Sequence, residues 1–454
     1  MKRSHLYLTT FTVLLLLQIV FGADPANTIK YNGKDYYING INVPWNAFGS
    51  DVGMHYQWGA CYDPAFFTTF FQECKSAGIN CVRLWIHCDG RSSPEFDDNG
   101  FVTGLDTNFL SNFDDILRIA DGNNVMVMPC LWSFDMTKDF TSTAGKYAGL
   151  HADLIQDSIK SRSYVDKALI PMVKHLANSS NLFAWEVINE PEWSIKGPGT
   201  TVQLVSDKEM VRFCGMIAEA IHENSNKMVT VGSACLKWHS SRQGPAEAHY
   251  WSDSSFQAAY KNPKAYLDFY QIHYYDWMWN PDWGYDPFQE TKTPAYWKLD
   301  KPTIIGEWPA VAGNYTVKQM VDAAYTNGYA GVMPWSYNAK DGFGTWESCK
   351  AELKAFRDAH ASIVDFTGGS TNVKDRQNSV TISLKNGFPN TDALTGGINL
   401  SLFDISGKKL GTYSASTASK KLPTTNGLLL YQVRDNSNRV IISGKTVDMD
   451  VKKR

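Results

Sequence analysis

Eight short apolar segments recur along the chain before residue 340. Most are nearly continuous in apolar character rather than alternating, which is the pattern of strands buried on both faces. Such strands are typical of a parallel sheet that is covered by helices. The segments span residues 36–45, 81–88, 125–132, 182–190, 228–235, 269–276, 303–308 and 331–338.

Helix signals lie between these segments. Residues 63–78 begin with an Asp-Pro pair suited to an N-cap and first turn, carry phenylalanines at helical spacing, and end at Gly78. Residues 206–209 (SDKE) and 316–319 (TVKQ) have the spacing of capping boxes ahead of apolar helical faces. Strand and helix alternating eight times predict an α/β fold, a (β/α)8 TIM barrel. The alternative is an open doubly wound sheet, which the lack of a glycine-rich loop after the first strand disfavours.

Polar and aromatic side chains collect near the ends of these predicted strands. In a (β/α)8 barrel the C-terminal ends of the strands meet at one mouth, where the active site lies. Burying such groups is costly unless they converge on a ligand. They are Arg83 and His87 on the second strand, Trp132 on the third, Asn189 and Glu190 on the fourth, His273 and Tyr275 on the sixth, Glu307 on the seventh and Trp335 on the eighth.

Glu190 and Glu307 are the two carboxylates in this set. Cleaving a glycosidic bond with retention requires such a pair at about 5–5.5 Å, one as nucleophile and one as acid/base. The fourth and seventh strands face each other across a barrel mouth, so the pair can reach one substrate atom. Glu186 lies more than ~13 Å deeper along its strand, and we expect it to be a core carboxylate paired with a basic or hydroxyl neighbour. Glu192 is expected at the surface or at the edge of a subsite.

Motifs around these residues resemble glycoside hydrolase family 5, a retaining clan of (β/α)8 barrels. They are RLW, WEVINEP, HYYDW, IIGEW and MPWS, in that order along the chain. The stretches NCVRLWIHCDGRSSPEFDDNGFVTG, MVTVGS and FYQIHYYDW are similar to the animal-type endo-β-1,4-mannanase branch of that family. The resemblance covers about residues 30–360. It implies that Glu190 is the acid/base and Glu307 the nucleophile.

The resemblance also implies roles for supporting residues. Arg83 and Tyr275 would hydrogen-bond Glu307, Asn189 would contact the sugar 2-hydroxyl, His273 would lie on the acid/base side, and Trp335 would lie beneath the sugar. His87 and Trp132 are expected either to line this region or to pack within the barrel. Trp277 is expected either to stack on a sugar or to belong to a packed aromatic lid. The mechanism requires no metal or cofactor, and no spacing resembles a zinc or calcium site.

Residues 1–22 have the pattern of a signal peptide, with basic MKR, apolar VLLLLQIVF, and Val20 and Gly22 at the −3 and −1 positions. The apolar stretch is too short for a membrane span, so we expect an exported protein. Eight cysteines permit disulfides, but their pairing does not follow from the sequence. The formal charge of −3 gives no reason to expect a nucleic acid or an anionic membrane as partner.

The composition changes after the predicted catalytic domain, residues 23–366. Residues 367–454 read as a linker and a small β-sandwich-like domain, with short apolar strands separated by turns. LSLFDISGKKLGTYS and the strands after it resemble the C-terminal sorting domains of the type IX secretion pathway, although NGLLLYQV departs from their Gly-aromatic-Tyr step. A glycan-binding module and a plain structural domain are the alternatives. All 15 tryptophans lie at or before Trp346, which disfavours the former.

The sequence therefore predicts a secreted, monomeric, retaining endo-β-1,4-mannanase that hydrolyses β-mannan or a related β-1,4-glycan. Attachment to the cell surface through the C-terminal domain is compatible with this prediction. An endo-β-1,4-glucanase with the same mechanism is the first alternative, because tolerance of an axial 2-hydroxyl depends on local shape around the sugar. The alternative from another class is a catalytically silent glycan-binding barrel.

Overall fold

The computed structural model describes residues 27–242, 248–279 and 284–367, together with six strands of the C-terminal segment. Eight parallel strands form a closed barrel and follow one another around it in chain order. They are β1 (Ile38–Val43), β2 (Cys81–Cys88), β3 (Met126–Ser133), β4 (Ala184–Asn189), β5 (Met228–Ser233), β6 (Tyr270–His273), β7 (Thr303–Glu307) and β8 (Gly331–Val332). The closed sheet confirms the predicted (β/α)8 barrel and excludes the open doubly wound sheet.

Helices follow most strands and cover the barrel. The longer ones are Pro64–Ser76, Phe109–Gly122, Ser158–Tyr164, Ile170–Leu176, Asp207–Asn224, Asp253–Tyr260, Val317–Thr326 and Trp346–Ala359, with a π-helical segment at Val165–Leu169. Shorter helices are Thr141–Ala144, Ala152–Gln156 and Ala361–Val364, and 3₁₀ turns are Phe134–Thr137, Pro191–Ser194, Leu236–Trp238 and Asp276–Trp279. After β6 the described residues contain only a 3₁₀ turn where the alternating pattern predicts a helix.

The predicted helix starts agree with the capping geometry. The Asp63 carboxylate accepts hydrogen bonds from the backbone N–H groups of Ala65 and Phe66. Capping boxes form at Ser206 with Glu209 and at Thr316 with Gln319. These side chains satisfy backbone donors that have no partner within the helix.

Several short strand pairs lie outside the barrel. Ile29–Tyr31 pairs with Lys34–Tyr36, Met54–His55 with Gly59–Ala60, and Glu95–Phe96 with Val102–Gly104. The second pair belongs to the loop after β1 and the third to the loop after β2, so both lie beyond the C-terminal ends of barrel strands. Pairs this short carry no readable periodicity, and the sequence did not indicate them.

The chain divides into two compact units, Met1–Gly368 and Gly369–Arg454. In the second unit, four antiparallel strands pair in the order Lys409–Tyr413, Asn399–Phe403, Leu428–Arg434 and Val440–Val447, and Leu384–Lys385 pairs with Phe388–Pro389. The predicted linker and much of the predicted sorting motif lie outside the described residues, as do residues 1–26 with the predicted signal peptide. No helix in the described part of the chain is long and apolar enough for a membrane crossing.

Candidate active site

Two glutamates and a histidine meet at the C-terminal mouth of the barrel. Glu190 directly follows β4, His273 ends β6 and Glu307 ends β7. His273 Nδ1 lies 2.9 Å from Glu190 Oε1 and 3.6 Å from Glu307 Oε2. A ring nitrogen of His273 and one carboxylate oxygen of each glutamate all lie within 4.8 Å of one another. Two carboxyl groups this close can flank a single reacting atom.

An unusual backbone conformation carries Glu190. Its φ of 47° and ψ of 50° lie in the left-handed region, which only a few per cent of non-glycine residues adopt. Its N–H donates to the Gly232 carbonyl at 2.6 Å, and Pro191 then begins a 3₁₀ turn. The indole Nε1–H of Trp193, in that turn, donates to Glu190 Oε2 at 2.8 Å. The turn thus supplies both the break in the strand and a donor for the carboxylate.

The buried Arg83 side chain connects the site to the barrel interior. Its Nε and Nη2 donate to the two carboxylate oxygens of Glu186 at 2.5 and 2.6 Å. Its Nη1 donates to Glu307 Oε1 at 2.5 Å and to Asn42 Oδ1 at 2.9 Å, and Nη2 donates to Asn189 Oδ1 at 2.7 Å. The donors of the guanidinium fork are therefore all used. Glu186 is the core carboxylate with a basic partner that the sequence predicted.

Gly232 in β5 leaves room for this ion pair. A Cβ at position 232 would lie 2.3 Å from Glu186 Oε1 and 3.1 Å from Arg83 Nη2. Any side chain there would push apart two fully buried charged groups. The glycine is therefore required by the polar layer inside the barrel, below the mouth.

The environments of the two glutamates differ. Burial raises the pKa of Glu190 to about 7, against the lowering effect of the Trp193 hydrogen bond. Burial is thus the main cause of the raised pKa of Glu190. Burial also raises the pKa of Glu307, but the Arg83 guanidinium opposes that rise. Tyr275 Oη donates to Glu307 Oε2 at 3.0 Å, so each oxygen of Glu307 has a donor.

His273 lies between the two carboxyl groups as a neutral imidazole. Burial lowers the pKa of His273 to about 4. We assign its proton to Nδ1, because that nitrogen faces both carboxylates. In this tautomer His273 donates to Glu190 without adding a positive charge to the site.

Trp335 lies in a group of aromatic side chains at the mouth. Its ring centroid is 6.0 Å from that of Trp45 and 5.7 Å from that of Trp85, and its Nε1–H donates to Asp341 Oδ2 at 2.6 Å. Sequence reasoning named Trp335 but missed Trp45, Trp85 and Asp341. Trp45 is the last residue of the first apolar segment, and Trp85 belongs to the RLW motif, so the sequence held a signal for both.

A second aromatic group lies beside Glu190. Trp193 packs edge-on against Trp238 at 5.4 Å and lies 6.4 Å from Trp277. Trp277 is 45% exposed. Trp193 was not among the predicted site residues, although its position three residues after Glu190 places it in the same turn.

His87 and Trp132 had two expected roles, and packing inside the protein is the one observed; the other, lining the substrate region, is wrong. Both are fully buried, their rings lie 5.0 Å apart, and both pack against Tyr164 on the outer helical layer. The pairing register of β2 shifts between Trp85 and Cys88. This irregularity breaks the alternation that would otherwise put His87 on the same face as Arg83. His87 Nδ1 instead bonds Ser93 Oγ at 2.5 Å.

The expectation that Glu192 is a surface or subsite-edge residue is also wrong. Glu192 is fully buried, and its carboxylate accepts hydrogen bonds from Ser233 Oγ at 2.6 Å, the Ala234 N–H at 3.0 Å and Trp251 Nε1 at 2.7 Å. Burial raises the pKa of Glu192 to about 7. The side chain thus fastens the turn after Glu190 to the end of β5, and nothing in the sequence identifies these partners.

Among the described residues, one group of side chains is close enough together to hold a metal ion, and it consists of Glu190, His273 and Glu307. Arg83 already donates to Glu307 from within the barrel. A divalent cation at the same carboxylate would lie close to a buried guanidinium, and the like charges would repel. The donor set therefore suits proton transfer and nucleophilic attack better than metal binding.

Comparison with known proteins gives one consistent result. A family model described as cellulase (glycosyl hydrolase family 5) matches residues 37–341. The mannan endo-1,4-beta-mannosidase of Mytilus edulis is 33% identical over 328 residues, covering 68% of this chain and 85% of that protein. The corresponding protein of Cryptopygus antarcticus is 30% identical and covers 72% of this chain and 89% of that protein.

Solved structures agree with the sequence comparison. The beta-mannanase from the blue mussel Mytilus edulis superposes with a TM-score of 0.63 at 28% identity, covering 73% of this chain and 94% of that chain. The endo-1,4-beta-mannanase from Eisenia fetida gives a TM-score of 0.63 at 28% identity and covers 73% of this chain and 93% of that chain.

Proposed function

This chain belongs to glycosyl hydrolase family 5, and we propose that it is a retaining endo-β-1,4-mannanase with Glu307 as nucleophile and Glu190 as acid/base. The observation that carries the proposal is how close these two carboxyl groups are. One oxygen of each lies within 4.8 Å of the other and of a ring nitrogen of His273. Relatives named as mannan endo-1,4-beta-mannosidases support mannan as the substrate.

In the first step, a carboxylate oxygen of Glu307 forms a bond to the anomeric carbon while the bond to the leaving oxygen breaks. Arg83 and Tyr275 each bond one oxygen of Glu307, which fixes the carboxylate and favours its ionised form. Glu190, whose pKa of about 7 keeps it protonated in mildly acidic solution, gives its proton to the leaving oxygen. The product is a covalent glycosyl-enzyme.

In the second step, the ionised Glu190 takes a proton from a water molecule as that water attacks the anomeric carbon. The bond to Glu307 breaks, and both carboxyl groups return to their starting protonation states. Asn189 assists in both steps. Because its Oδ1 accepts from Arg83, its Nδ2 remains to donate to the sugar 2-hydroxyl, where the bond strengthens as the oxocarbenium ion forms.

A hydrolysis assay on mannan, glucomannan and carboxymethylcellulose tests the substrate. We expect reducing ends from the first two and little release from the third. Equal release from carboxymethylcellulose would favour the endo-glucanase alternative. No release from any of them would favour a silent glycan-binding barrel.

Two variants test the assigned roles. Glu307→Ala should abolish turnover of every substrate, because no nucleophile remains. Glu190→Ala should retain activity on aryl glycosides whose acidic leaving groups depart without protonation. Azide should restore part of the activity, giving a β-azide with the acid/base variant and an α-azide with the nucleophile variant. Equal loss on activated and unactivated substrates in Glu190→Ala would contradict the assignment.

We also propose that the protein is exported and acts as a monomer, since one chain supplies every group of the site. The pattern of residues 1–22 and the sorting-domain resemblance of residues 367–454 support export. Attachment to the cell surface would be a role of the second unit. N-terminal sequencing of the mature protein should start at Ala23.

Deleting residues 369–454 in a host with the type IX pathway should trap active protein inside the cell envelope, and secretion at the full level would contradict the sorting role.

A further inference from the structure

Two exposed aromatic residues lie on the hairpin formed by Met54–His55 and Gly59–Ala60. Tyr56 is 47% exposed and Trp58 is 48% exposed. The hairpin belongs to the loop after β1, so it stands at the same end of the barrel as Glu190 and Glu307. Large exposed aromatic side chains held close together often mark a binding surface.

The indole of Trp58 has a rigid support. The buried His55 ring lies flat against it, with ring centroids 3.5 Å apart and planes inclined by 5°. His55 Nδ1 accepts from the backbone N–H groups of Gln57 at 3.0 Å and Trp58 at 3.4 Å. Its Nε2 therefore carries the proton and donates to the Ala144 carbonyl at 3.1 Å. With one face covered by a fixed imidazole, the indole presents its other face outward.

Tyr56 ties the same hairpin to the loop after β3. Its ring stacks on His55 at 5.1 Å and packs edge-on against Tyr147 at 5.5 Å. Its hydroxyl accepts from the Lys146 N–H at 3.1 Å. At Gly145 a Cβ would lie 1.6 Å from that hydroxyl, so only glycine allows this approach. The hairpin is thus fixed to the loop after β3 and presents its aromatic rings in a set orientation.

Aromatic contacts connect this hairpin to the active site. From Trp335 they run to Trp45 at 6.0 Å, to Phe48 at a further 4.8 Å and to Phe140 at a further 6.3 Å. The Phe140 carbonyl accepts from the N–H of Ala144, the residue whose own carbonyl binds His55. The path begins beside Trp335 and β1, across the mouth from β4. The path thus runs from Trp335 through the loop after β1 to the loop after β3, which holds the hairpin.

We propose that Trp58, supported by His55, is a stacking platform for a pyranose ring of the mannan chain, beyond the sugars held at the two glutamates. This inference rests on the proposed function. The apolar C–H face of a pyranose matches a flat indole with one open face, and a neutral polymer needs no charged partner there. Preorganisation by His55 reduces the ordering cost of binding.

The test compares Trp58→Ala with Met54→Ala, a matched control at a 42% exposed position on the same hairpin. Substrates are mannotriose, as the short substrate, and soluble mannan, which extends well beyond the sugars at the glutamates. We expect Trp58→Ala to lower kcat/KM on mannan about fivefold to tenfold and leave mannotriose unchanged, since one aromatic stacking contact contributes roughly that much. Met54→Ala should match the wild type on both substrates, and Trp58→Phe should recover part of the loss.

Two outcomes would overturn the platform. Unchanged kcat/KM on mannan in Trp58→Ala would remove its role in substrate binding. Equal loss on mannotriose and mannan would show a disturbed fold instead of a lost subsite. Failure of the wild-type protein to hydrolyse any mannan would instead contradict the proposed function, so the two failures are distinguishable. Native gels that contain soluble mannan give a second readout, because binding to mannan slows migration. The inactive double variant Trp58→Ala, Glu307→Ala should migrate faster than Glu307→Ala alone.

Discussion

Arg83 determines how charge is distributed in the site. It is fully buried and pairs with Glu186 on one side and Glu307 on the other. Glu186 neutralises the guanidinium within the barrel, so the hydrogen bond to Glu307 can orient the nucleophile without leaving an uncompensated positive charge in the core. Glu186, which lies below the mouth, is therefore needed for Arg83 to hold the nucleophile Glu307 in place.

Replacing Glu186 tests this dependence. Glu186→Gln should lower the free energy of unfolding by on the order of 3 kcal/mol, because breaking a buried ion pair leaves its partner poorly compensated. Chemical denaturation measures the change. Glu223→Gln is the matched control, since Glu223 pairs with Lys264 at 3.6 Å on the surface and each side chain is about half exposed. Similar losses in the two variants would contradict the proposed importance of the Arg83 pair.

The protonation state of Glu190 should set the alkaline limit of activity. Because its pKa is about 7 and it must start protonated, kcat/KM should fall as the pH rises above about 7. Trp193→Phe removes a hydrogen bond that lowers this pKa, so the alkaline limb should move to higher pH. The pH profile of kcat/KM on a mannan oligosaccharide measures the shift. On an activated aryl glycoside, Glu190→Ala should show no fall in kcat/KM at alkaline pH. An alkaline limb at the same pH in Trp193→Phe and in the wild type would contradict the effect of this hydrogen bond on the pKa of Glu190.

At the level of elements, the turn Pro191–Ser194 follows β4 and is held by hydrogen bonds to the end of β5. Glu190 begins the turn in a left-handed conformation, and Glu192 anchors it through three donors around the end of β5. A strained backbone persists only where its surroundings determine it. We infer that the Glu192 anchor helps to hold Glu190 in place.

The titration of Glu192 gives this anchor a measurable signature. Its pKa is about 7 in the folded protein, above the ordinary value of 4.5, so folding favours the protonated form. That contribution is complete below pH 4.5 and is lost as the pH rises through about 7. The advantage in free energy of unfolding of the wild type over Glu192→Gln should therefore shrink by up to about 3 kcal/mol between pH 5 and pH 8. Urea denaturation at the two pH values measures it, and a constant difference would contradict it.

The sequence predicted elements better than it predicted contacts. Seven strand predictions overlap the observed strands closely, because strands buried on both faces need continuous apolar runs. The eighth shortens to Gly331–Val332, since Pro334 cannot donate to a sheet. Glu192 was misplaced, and the role of His87 was left open, for another reason. A register shift and a set of three distant donors decide their positions, and neither leaves a local pattern in the chain.

At the scale of the whole molecule, every residue assigned to catalysis lies in the first compact unit, Met1–Gly368. A closed barrel has no free edge that requires a strand from elsewhere. Removing residues 369–454 should therefore leave kcat/KM on soluble mannan within about twofold of the full chain, as expected for a domain with its own core. Steady-state kinetics of the two forms at equal active-site concentration check this. A large loss of turnover in the shortened chain would assign the second unit a part in catalysis.

The bonds of Arg83 have a further consequence for how this protein acquires activity. Its partners Asn42, Glu186, Asn189 and Glu307 lie 41, 103, 106 and 224 positions away along the chain. Local helices can form early during refolding, whereas these long-range bonds must wait for the ring of strands to close. Recovery of the circular dichroism signal should precede recovery of turnover, which makes the enzyme's own activity a reporter of the last stage of its folding.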